Sequence, residues 1–103
     1  MADRKNISAG SPWESVVGVS DAGTQTRYAL QKIGRALHEV GVSIADVVRT
    51  RIFVTDISHW ETIGRVHGEF FGAIRPASTM VEIAKLIDPA HLVEIEVDAF
   101  RDE

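Results

Sequence analysis

The chain has 103 residues, 45% of them hydrophobic, with 15 acidic against 11 basic side chains and a formal net charge of −4. That length supports one domain with a core of its own, no run approaches the ~20 apolar residues that span a bilayer, and the scattered basic residues argue against a nucleic-acid partner. Cysteine is absent, which removes disulfides, zinc–thiolate sites and cysteine nucleophiles; with a charged start that no apolar stretch follows, it points to a cytoplasmic protein.

Residues 1–12 are polar and end in Gly10, Ser11 and Pro12, which reads as a mobile lead-in to a single domain. Val16, Val17 and Val19 suggest a short strand broken by Gly18, and residues 21–23 a turn. From Thr24 the apolar period becomes helical: Ala29, Ile33, Leu37 and Val40 share one face, Asp21 or Thr24 can cap the start, and Gly41 sits where a helix stops. Gly34 within it costs about 1 kcal/mol against alanine. Residues 43–46 form a one-turn lead into a strand over residues 47–54, closed by Thr55-Asp56. Ser58-His59-Trp60-Glu61 has the spacing of a capping box, with Ser58 as N-cap. A second helix then carries Trp60, Ile63, His67, Phe70 and Phe71 along one stripe, and Pro76 forbids its continuation. Two alternating strands follow, one around Thr79, Val81 and Ile83 and one around Val93, Ile95, Val97 and Ala99.

The order strand, helix, strand, helix, strand, strand predicts an α+β fold with one mixed sheet and both helices on one of its faces. Alternation assigns Val48, Ile52, Val54, Val81, Ile83, Val93, Ile95 and Val97 to the helix side. The opposite face then holds Phe53, Met80, Leu92 and Phe100 among Arg49, Arg51, Glu82, Glu94, Glu96 and Asp98. That half-apolar, half-charged face has nothing left in the chain to cover it, so a partner subunit is expected there.

Two stretches resemble the Rid family, also called YjgF or RutC-like. Residues 46–56, Asp-Val-Val-Arg-Thr-Arg-Ile-Phe-Val-Thr-Asp, look like that family's central strand. Arg75-Pro76-Ala77-Ser78-Thr79-Met80-Val81-Glu82-Ile83, followed by Val93-Glu94-Ile95-Glu96, looks like its closing signature. The resemblance covers residues 24–100. It implies a chorismate-mutase-like fold and a homotrimer with ligand clefts between subunits. It further implies cofactor-free, metal-free hydrolysis of 2-imino or enamino acids to 2-oxo acids and ammonia. In the family an arginine holds the substrate carboxylate and a glutamate positions water.

Carried over position by position, the glutamate matches Glu94, which is the catalytic candidate. The arginine that directly follows Pro-Ala is replaced by Ser78, and a frequent cysteine two residues on by Met80. The first-strand tyrosine falls at Val19, and a polar residue of the second helix at Gly64. A serine offers one neutral donor where a guanidinium offers two charge-assisted ones. Arg49 or Arg51 can supply a replacement charge. Trp13 can line a cleft or cap the core. The chain also passes from Val19 to Thr24 without the two further strands that family members carry there.

The remaining candidates have plainer readings. Glu82 reads first as a salt-bridge carboxylate, Ser78 as a small residue at a strand start and His67 as a satisfied, partly buried histidine. His38, His59 and His91 lack metal-ligand spacing, and no phosphate loop or dinucleotide-binding glycine pattern occurs. Two functions remain: an imine or enamine deaminase using Glu94 at a subunit interface, or a non-catalytic trimer of the same fold that binds a small metabolite or a protein.

Overall fold

The computed structural model describes residues 2–9 and 21–102, with side chains for the latter range. The elements run β1 (Ala2–Ala9), α1 (Ala22–Glu39), β2 (Val47–Val54), α2 (Trp60–Phe71), β3 (Ala77–Glu82) and β4 (Val93–Asp102). They build one sheet in the order β1-β4-β2-β3. β4 is antiparallel to both of its neighbours, and β2 is parallel to β3, with α2 as the crossover.

Local chemistry sets the helix ends. Asp21 caps α1, its carboxylate accepting from the Thr24 N–H at 2.7 Å and the Thr24 hydroxyl at 3.0 Å. At the other end the Gly41 N–H donates to the His38 carbonyl and the Val42 N–H to the Leu37 carbonyl. This closing turn needs the left-handed conformation that Gly41 adopts at φ +78°. Gly34 has only the tip of Ile44 near its missing Cβ, at 4.0 Å, so no close approach demands glycine and its cost is tolerated.

The expected capping box at Ser58 is not formed. A short 3-10 turn, Ile57–His59, precedes α2, and Asp56 accepts from both the Ser58 N–H and the Ser58 hydroxyl. Winding begins before Trp60, so the first free N–H groups fall within reach of Asp56 rather than Ser58. A capping box does occur at the turn Ile44–Asp46, between Ser43 and Asp46.

The core lies between the sheet and the helices. Leu30, Ile33, Leu37, Ile63, Val66 and Phe71 pack on Val47, Ile52, Val54, Val93, Ile95, Val97 and Ala99. Trp60, expected in that packing, is 56% exposed, because the helical stripe reaches the sheet only from Ile63 onward.

Three expectations change. Residues 2–9, read as part of a mobile lead-in, form β1 and pair with β4 along its whole length, from Ala2 opposite Asp102 to Ala9 opposite Ile95. Few of these residues are apolar, because an edge strand is held by backbone hydrogen bonds that composition does not reveal. The suggested strand over residues 16–19 lies outside the described residues.

The second and third concern faces. A bulge between Val47 and Arg49 inserts Val48 as an extra residue, so Val47 and Thr50 both point inward and Val48 is exposed. In β3 the parity is opposite to expectation. Ser78 pairs with Thr50, Met80 with Ile52 and Glu82 with Val54. Parallel partners share a face, so Ser78 and Met80 are on the helix side and Val81 is on the open side. Leu92, likewise assigned to the open face, packs against the core.

Candidate functional site

β3 begins at a strained turn. The Ile74 and Arg75 N–H groups both donate to the Phe71 carbonyl, Arg75 takes φ +56°, and Pro76 prevents any helical continuation. Ser78, exposed near the start of the strand, is thereby set beside Thr50 of β2. The Thr50 hydroxyl donates to Ser78 Oγ at 2.9 Å, and Thr50 Oγ1 lies 2.9 Å from His67 Nε2 on α2. A threonine hydroxyl has one proton. With Thr50 giving that proton to Ser78, the Nε2–H tautomer of His67 completes the arrangement, and the chain then runs His67 Nε2–H to Thr50 to Ser78.

His67 is partly buried, and burial lowers its pKa below the ordinary imidazole value. Its ring packs on Phe71 with centroids 4.8 Å apart. Gly64, one turn earlier on α2, has nothing within 4 Å of where a Cβ would stand, which leaves open space on the helix there. Met80 is half-buried against the core.

The open face of the sheet is charged. Arg51 Nε donates to Glu96 at 3.0 Å, and an Arg51 terminal nitrogen lies 3.5 Å from Asp98, itself buried. The hydrogen bond to Glu96 raises the pKa of Arg51, with the charge of Asp98 adding to it. Arg51 is therefore engaged within its own sheet and is not a spare cation for a missing clamp. Arg49 is exposed and lines a 450 Å³ hollow with Val48, Ala77, Asp98 and Phe100.

Glu94 stands on this same face, partly buried, opposite Phe53. Desolvation pushes its carboxyl pKa up, the neighbouring Glu96 charge pushes it further, and His91 opposes the shift. A carboxylate in that state is a better proton acceptor than one in free water.

The two halves of the expected site are not brought together in one chain. Ser78 and Met80 face the helices, while Glu94 faces away, in the row of Phe53 and Val81. The register places the Ser78 and Glu94 Cα atoms roughly 14 Å apart, on opposite faces. The expectation that Met80 shares the face of Glu94 fails because it assumed an alternation across a strand pairing that the sequence does not display. Val19 and Trp13 lie outside the described residues. Glu82 accepts from the Ile57 N–H at 2.9 Å and so holds the exit of β2.

Thr50 and His67 are the functional candidates that sequence reasoning passed over together. The signal was a hydroxyl at a core-facing strand position and an imidazole on an apolar helical stripe. Joining them required knowing where α2 lies on the sheet. Among the described residues no cluster of three or more His, Asp or Glu side chains is placed to hold a metal, and no helix is long and apolar enough to cross a membrane.

Comparison with known proteins places the chain. The profile described as endoribonuclease L-PSP matches residues 7–101. Rv2704 of Mycobacterium tuberculosis, described as a member of the YjgF/YER057c/UK114 family, superposes with a TM-score of 0.80 at 45% identity, over 96% of this chain and 100% of that one. Escherichia coli TdcF, solved with bound serine, superposes at 0.76 with 29% identity, over 82% of this chain and 68% of that one. The 3-aminoacrylate deaminase RutC of Acinetobacter baylyi is 39% identical over 80 residues, which are 78% of this chain and 63% of that protein. The core around Ile95, the β2–β3 pairing and these matches agree, and the chain belongs to the endoribonuclease L-PSP family, the YjgF or Rid group.

Proposed function

We propose that this chain handles a small imine or enamine at a site completed by a second copy of the chain, and that it hydrolyses that compound with Glu94 positioning water. The observation that carries the reading is Glu94 itself. It is a partly buried carboxyl with a raised pKa, at the family's glutamate position, on the sheet face turned away from both helices.

The chemistry is simple to balance. Glu94 takes a proton from water as the oxygen adds to the C=N carbon and returns it to nitrogen, giving a carbinolamine; the remaining hydroxyl proton then passes through the same carboxylate to nitrogen as the carbonyl forms and ammonia leaves. An enamine enters the same path once its carbon is protonated. Support comes from the likeness to a named deaminase. Ser78 and Glu94 lie on opposite faces of one sheet, so a ligand touching both needs Ser78 from one subunit and Glu94 from another.

The second reading is a trimer that binds a small molecule without turning it over. It is favoured by Ser78, which engages Thr50 instead of offering a guanidinium.

The test uses 2-imino acids generated in place by an amino-acid oxidase, with the remainder trapped by semicarbazide. Wild type should lower the trapped yield, and Glu94→Ala should not. Ser78→Arg should act faster than wild type, by about tenfold, since charge-assisted bonds replace a neutral one. If wild type and Ser78→Arg both leave the yield unchanged across several side-chain classes, the enzymatic reading is wrong.

A further inference from the structure

The hydrogen-bonded chain behind Ser78 has a direction, and that direction selects among ligands. Thr50 is buried, and its single hydroxyl proton goes to Ser78 Oγ. With His67 as the Nε2–H tautomer, Nε2 supplies the proton that Thr50 accepts. With one lone pair of Ser78 occupied by Thr50, the Ser78 hydroxyl proton is left to point away from the core, into the open edge of β3. The side chains linked to this donor, Thr50 and an imidazole whose pKa burial lowers, carry no charge at neutral pH.

We infer that His67 and Thr50 position the Ser78 hydroxyl as a fixed neutral donor, so that the β3 edge selects a ligand presenting an uncharged acceptor, such as a carboxamide or ester carbonyl, over one presenting a carboxylate. The inference rests on the proposed reading of the β3 edge as a ligand site and names the substrate class of that site. The physical reason is desolvation. A carboxylate held at this edge beneath the second copy of the proposed site loses water that a single neutral donor cannot replace, whereas an amide carbonyl loses far less. A serine free to rotate would present donor or acceptor indifferently. The chain from His67 removes that freedom, which is why Thr50 and His67 matter although neither touches the ligand.

The probes are pyruvate and pyruvamide, which share a 2-oxo group and differ in charge, titrated by NMR into the full chain. Wild type should bind pyruvamide about 3- to 10-fold more tightly than pyruvate. Thr50→Val should bring the two within about twofold, while Thr50→Ser, which restores the hydroxyl, should keep the wild-type ratio. Ser78→Arg should reverse the preference. A merely structural role for Thr50 would weaken both probes alike and leave the ratio untouched, and that result overturns the inference. So does a wild type that prefers pyruvate. If wild type binds neither probe and Ser78→Arg binds pyruvate, the site stands and the inference falls. If no variant binds either probe, the ligand-site reading falls and takes the inference with it.

Discussion

Glu94 illustrates how one side chain can link stability and function. Its folded pKa is raised above the ordinary 4.5, first by desolvation and then by the charge of Glu96. Folding therefore binds its proton more tightly, and the stabilising contribution is present below pH 4.5 and lost as pH rises through the folded pKa. At pH 7 the ionised carboxylate opposes folding. Glu94→Gln should raise the melting temperature at pH 7 by about 1–3 °C, a small effect because the group is only partly withdrawn from water, and the difference should vanish below pH 4.5. A fall in melting temperature at pH 7 would instead place a cation of another subunit against Glu94. His67 has the opposite sign. Its folded pKa is depressed by burial, so its contribution is present above pH 6.5 and is lost as pH falls below that value. Unfolding midpoints at several pH values should show wild type losing more stability than His67→Gln between pH 6.5 and 5. Equal losses would mean the ring is hydrated. At this scale the sequence put forward Glu94, Ser78 and Met80 as positions to inspect. It did not show that Thr50 lies between Ser78 and His67, since three residues from three elements meet only through the packing.

At the scale of elements, patterns with a strong period were legible and pairings were not. The α1 stripe of Ala29, Ile33 and Leu37 was readable because burial repeats every 3.6 residues, and Gly41 marked the end because the closing turn needs positive φ. The face of β2 was misread only at Val47 and Val48, where one inserted residue breaks a period of 2, and that of β3 because its pairing with β2 is not visible in the sequence. Likewise β1 has few apolar residues to betray it, and it exists because β4 offers an edge. The turn from α2 into β3 carries a testable strain. Arg75 sits at φ +56°, which costs a residue with a Cβ about 1–2 kcal/mol, partly offset when glycine is introduced by the greater freedom of the unfolded chain. Arg75→Gly should therefore stabilise the fold by about 0.5–1 kcal/mol in denaturant titration. A loss of stability would show that the arginine side chain contributes more than its backbone costs.

For the whole molecule, the open sheet face combines apolar and charged side chains. Val48, Val81 and Phe100 are exposed on it beside Arg49 and the Arg51–Glu96–Asp98 group, an arrangement suited to burial against a partner of mixed character. Light scattering should give three times the 11.3 kDa chain mass, and Phe100→Asp should shift the population toward monomer. A monomer at high concentration for the unaltered chain would remove the shared site. The β1–β4 ladder has a separate, mechanical consequence. Ala2 faces Asp102 across antiparallel strands, so a tension applied to the two ends of the described chain acts across the ladder and not along it. Its hydrogen bonds then break one after another from the tips inward, as in a zipper. The fold should yield at low force when pulled by its ends, whatever its resistance to heat.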